Sequence, residues 1–94
     1  MPPDARKDRA RELIQAALSE VEAERRTPRY RLQPEDLDCC IETLRGYLST
    51  LERGELPPRR QRPEGLGRMV MDHWPFDVPL ANVVLQAERA WRNA

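Results

Sequence analysis

Apolar residues recur along most of this chain at steps of three and four, the spacing that gathers them on one side of an α-helix. Ala10, Leu13, Ile14, Ala17, Leu18 and Val21 form the first stripe, and Arg9, Glu12, Ser19, Glu20 and Glu22 lie away from its centre. Asp4 and Asp8 suit the positive end of the helix dipole, Arg25 and Arg26 its negative end. Pro28 stops the helix at or before Thr27, because the residue ahead of a proline is pushed out of the helical region.

The second stripe is the clearest. Leu37, Cys40, Ile41, Leu44, Tyr47, Leu48 and Leu51 continue one apolar face without a break. Pro34 fits the first helical position, Glu35 and Asp36 the positive end of the dipole. Leu32 is placed to pack on Leu37 as a hydrophobic staple, and Gly54 to end the helix in a left-handed conformation. Pro57 and Pro58 then forbid helix and favour an extended path. A short third helix is expected from near Pro63 to His73 or Trp74, with Leu66, Met69, Val70 and one of those two as its apolar side. Gly65 and Gly67 each weaken it by about 1 kcal/mol relative to alanine, so it needs tertiary support. The fourth helix begins after Asp77 as N-cap, has Pro79 in its first turn, and carries Leu80, Val83, Val84, Ala87, Ala90 and Trp91 as its stripe.

These patterns predict an all-α fold: a small helical bundle of three longer amphipathic helices and one short one around a single core. The expected helices cover about 4–26, 35–53, 64–73 and 78–92, with a linker at 54–63. Residues 1–94 are read as one domain. The first two helices, joined by a short loop, should form an antiparallel hairpin, with the short helix crossing one end of the bundle. A domain of this length buries only about 60–65% of the surface its unfolded chain exposes, so a partner would add usefully to its stability.

Composition narrows the functional classes. Sixteen basic residues balance sixteen acidic ones, so no net field draws the chain to nucleic acid or an anionic membrane. The two cysteines, Cys39 and Cys40, are neighbours on a helix and point about 100° apart, so they cannot easily join each other. Cys40 falls on the apolar stripe and Cys39 off it. Unpaired thiols, the lack of a signal-peptide pattern and the lack of any span of about 20 apolar residues lead to the expectation of a cytoplasmic protein with no membrane contact.

Candidate chemistry is sparse. One histidine and two cysteines without C-x-x-C spacing do not make a zinc site, and no metal, cofactor, small-molecule substrate or catalytic residue is inferred. The most unusual segment is Asp72-His73-Trp74-Pro75-Phe76-Asp77, which sets large aromatics and acids in a turn that would ordinarily be polar. Either Trp74 and Phe76 fold inward and plug the end of the bundle, or one ring stays exposed as an anchor rimmed by Asp72 and Asp77. Arg59, Arg60 and Arg62, with Arg68 beyond, form the one basic cluster. Leu85 and Met71 add apolar surface beyond what the core needs.

Three readings follow. The sequence favours a small protein–protein interaction module, such as an adaptor, an inhibitor or an antitoxin- or immunity-type protein. Its partner is another protein or a second copy, a homodimer using the first and fourth helices, and Asp72, His73, Trp74, Phe76, Asp77, Arg59, Arg60 and Arg62 are the candidate contacts. The second reading is a nucleic-acid-binding dimer using the linker arginines, which no recognition helix accompanies. The third is an enzyme using His73, oriented by Asp72 or Asp77.

Overall fold

In the computed structural model, which describes residues 3–54, 56–58, 65–75 and 77–94, four helices follow one another: α1 (Pro3–Arg26), α2 (Pro34–Arg53), α3 (Gly65–His73) and α4 (Pro79–Asn93). No strand occurs among the described residues. The architecture is a small all-α bundle. No helix among those residues is long and apolar enough to cross a membrane.

The stripes become the core. Ala10, Ile14, Ala17 and Val21 of α1 are fully buried against Leu37, Cys40, Leu44, Tyr47 and Leu51 of α2 and Leu80, Val84, Ala87 and Trp91 of α4 in one apolar cluster. Small alanines at positions 10 and 17 let α1 lie between α2 and α4, its two principal neighbours. Ion pairs from Arg25 to Asp38 at 2.9 Å and from Arg45 to Glu22 at 3.4 Å fix the antiparallel register of α1 and α2. Both are exposed, so each contributes on the order of 0.2–1 kcal/mol. Between α2 and α4 the rings of Tyr47 and Trp91 stack with centroids 4.5 Å apart and planes within 9°.

The short helix departs from expectation. Instead of crossing an end, α3 runs beside α4: it starts next to Glu88, late in α4, and finishes with His73 against Asp36 at the start of α2. The chain therefore goes up, down, up and down, with α3 as a shortened third limb. Of the two candidates for its apolar side, Trp74 turns inward at 5% exposure and His73 faces out.

Helix ends follow their prolines. Pro34 opens α2 behind an extended Gln33, and Gly54 closes it at φ 71°, its N–H reaching Thr50 and Leu51 carbonyls. At α4 the cap is Val78, not Asp77, and no side chain caps it. Pro79 occupies N1 and holds the residue before it extended (φ −78°, ψ 117°), which moves the cap position to 78 and leaves Asp77 exposed in the turn.

Two carboxylates are buried among these apolar faces. Glu24, at 3% exposure, ends the α1 stripe and accepts the backbone N–H groups of Arg29 and Tyr30 at 3.0–3.1 Å, tying down the α1–α2 loop. Glu88, at 5%, sits on the α4 stripe. Its Oε2 accepts the Leu66 N–H at 2.9 Å and the Tyr47 hydroxyl at 3.1 Å, and its Oε1 accepts the Gly67 N–H at 3.0 Å. A carboxylate against the first turn of α3 satisfies two orphan donors and the dipole's positive end, and supplies the tertiary support that a helix with two glycines requires.

Candidate functional site

Clamping α3 beside α4 leaves an open trough along the outer faces of the two helices, about 990 Å³ in volume. From α3 it is lined by Arg68 and Met71, and from α4 by Asn82, Leu85, Gln86 and Arg89. Positions 68 and 71 are one turn apart, as are 82, 85/86 and 89, so each helix presents a continuous strip. Arg92 lines the far end.

Met71 is the most exposed large apolar residue described, at 64%, and half-buried Leu85 shares the trough with it. Among the described residues the lining carries three arginines, Arg68, Arg89 and Arg92. Among the described residues the one acid in the lining is Glu88, and both its oxygens are taken up by Leu66, Gly67 and Tyr47. Arg68 and Arg89 form no ion pair among the described residues. The trough thus sets the apolar side chains of Met71 and Leu85 among guanidinium and side-chain amide groups.

The segment around Trp74 is distributed differently. The Trp74 ring lies in the core, its indole N–H without a hydrogen-bond partner among the described residues, and so provides no surface anchor. Asp72 and Asp77 are exposed and line neither this trough nor the small hollow of about 140 Å³ near Tyr30. His73 is exposed, and its Nδ1 lies 3.2 Å from Asp36 Oδ1, so the acid beside it comes from α2 and is neither Asp72 nor Asp77. Phe76, Arg59, Arg60 and Arg62 lie outside the described residues. Among the described residues no group of three or more His, Cys, Asp or Glu side chains converges as a metal site would require.

Two buried acids, Glu24 and Glu88, organise the fold that forms the trough. Register was the available signal: residue 24 continues the 10-14-17-21 series, and residue 88 falls between 84 and 91. Extra apolar surface at Met71 and Leu85 lies between α3 and α4, away from the α1–α4 contact. No protein-family model matches the chain, and no curated protein is significantly similar to it.

Proposed function

We propose that this chain is a small cytoplasmic protein-binding module that acts by occupying a partner's surface, and that its contact face is the α3–α4 trough. The observation that carries this reading is Met71, 64% exposed beside Leu85 on a fold that otherwise buries its apolar stripes. Contiguous apolar side chains at a surface, rimmed by polar groups, mark contact sites, and methionine and arginine are enriched in the buried centres of interfaces. The exposed position of His73, outside the trough, favours binding over proton-transfer chemistry.

Affinity capture from a lysate of the source organism, with wild-type protein and Met71→Asp in parallel, tests the reading. The variant should keep its far-UV spectrum and melting temperature, since the side chain is largely solvated, while losing the proteins the wild type retains. Identical retention by both would refute it.

A further inference from the structure

We infer that the α3–α4 trough receives an acidic, amphipathic helical segment of a partner protein; this rests on the trough being a protein contact face, as proposed above. The charge pattern selects the partner. Arg68 on one wall and Arg89 on the other form no ion pair among the described residues, and the buried Glu88 is committed to α3. An occupant that covered these guanidinium groups without supplying negative charge would strip their water for nothing in return. It must therefore carry acids on its flanks.

The apolar centre selects further. Met71 and Leu85 present apolar surface that an apolar side chain of the occupant would cover, and methionine adapts its shape to what it meets. A nucleic-acid backbone supplies charge but nothing for that apolar surface. A second copy of this chain would offer the acidic side of α2, where Glu35, Asp38 and Glu42 are exposed, but the apolar residues of that helix already face its own core. From Asn82 to Arg92 the trough extends about 15 Å, close to three helical turns. A helix with apolar residues at i, i+3/i+4 and i+7 and acids on both sides matches this length and this pattern.

The test is a selection of random peptides of about 16 residues, displayed on phage, against the full-length chain, the length allowing about four turns. The selected pool should be enriched in Asp and Glu beside helically spaced apolar residues. The best synthetic peptide should bind about tenfold more weakly to the Arg68→Gln/Arg89→Gln variant and to Met71→Ser, and should weaken with added salt. Amide shifts should move at Arg68, Met71, Leu85 and Arg89, with the melting temperatures of the variants unchanged. A pool that ignores the arginines but is lost on Met71→Ser would overturn the acidic partner and leave the contact face standing. A pool indifferent to both variants, or no enriched pool, would remove both. Tighter binding of an oligonucleotide than of the peptide at equal salt, or self-association abolished by Met71→Ser, would also overturn the inference.

Discussion

The backbone N–H of Gly67 donates to Glu88 Oε1 at 3.0 Å, and a Cβ built on residue 67 would stand 2.9 Å from that same oxygen. Glu88 cannot simply swing aside, because its other oxygen holds the Leu66 N–H and the Tyr47 hydroxyl. Glycine at 67 is therefore the condition for the carboxylate to sit in the first turn of α3, and the carboxylate is what keeps α3 beside α4.

Gly67→Ala consequently runs against helix propensity. The substitution should gain about 1 kcal/mol of helix preference, yet the displaced carboxylate should lose more, for a net destabilisation of about 1–2 kcal/mol. Gly46→Ala is the comparison: it lies within α2 with no atom within 4 Å of a built Cβ, and should stabilise by up to about 1 kcal/mol. Thermal melts followed at 222 nm read both. A rise in melting temperature for Gly67→Ala would mean that Glu88 relaxes without loss.

Glu88→Gln tests the clamp itself. With the amide oxygen kept toward Leu66 and Tyr47, the NH2 group meets the Gly67 N–H, donor against donor, in a buried site. The expected cost is about 1–3 kcal/mol, against about 1 kcal/mol for Tyr47→Phe, which deletes one donor and keeps the stack on Trp91. Amide exchange at Leu66 and Gly67 should quicken in Glu88→Gln more than exchange in α1. Uniform quickening would show that the clamp is no more local than the rest of the core.

Much of this architecture was legible in the chain. Four apolar stripes at helical spacing specify four helices whatever their partners, and the prolines at 34 and 79 and the glycine at 54 fix their ends by local sterics. Pairings in space were not legible. Arg68 reads as the tail of a linker cluster until α4 places Arg89 in the same trough, and His73 meets Asp36 from a helix more than thirty residues away. Glu24 and Glu88 were hidden by their charge, since an acid on an apolar stripe is acceptable only where backbone donors converge, and those donors belong to other segments. The inward turn of Trp74 has a practical consequence too: Trp74→Ala removes a core ring, at about 3–5 kcal/mol, and reports on folding before it reports on binding.

The α1–α2 loop stores a small strain next to a strong tie. Arg31 holds φ 56°, a left-handed conformation that asparagine tolerates better than arginine does, while Glu24 anchors the preceding two amides. Arg31→Asn should therefore stabilise by a few tenths of a kcal/mol, up to about 1. Glu24→Ala should destabilise by about 1–3 kcal/mol, because it removes the acceptor of two part-buried backbone donors and leaves a gap where a buried side chain stood. Denaturant melts that put both changes on the same side would break the argument.

Alkaline pH should unfold this protein through two groups inside its core. Burial pushes the Cys40 thiol from 9.0 up to about 12, with neighbouring Cys39, Asp36 and Glu88 adding to the effect. Burial likewise raises the Tyr47 phenol above 10.0, reinforced by the Glu88 carboxylate that accepts its proton. In both cases the native state keeps a proton that the unfolded chain releases, so the stabilisation is complete below about pH 9 and falls as pH rises toward 12. Each group contributes a slope of about 1.4 kcal/mol per pH unit within its own window. Between pH 9 and 10 the thiol titrates in the unfolded chain ahead of the phenol, so Cys40→Ala should flatten the decline there while lowering stability at neutral pH through the small cavity it leaves. A Cys39→Ser background prevents the exposed thiol from bridging two chains during the experiment. Melting temperatures taken at half-unit steps from pH 7 to pH 11 decide it: parallel curves for the parent and Cys40→Ala would mean that the buried thiol plays no part in alkaline unfolding.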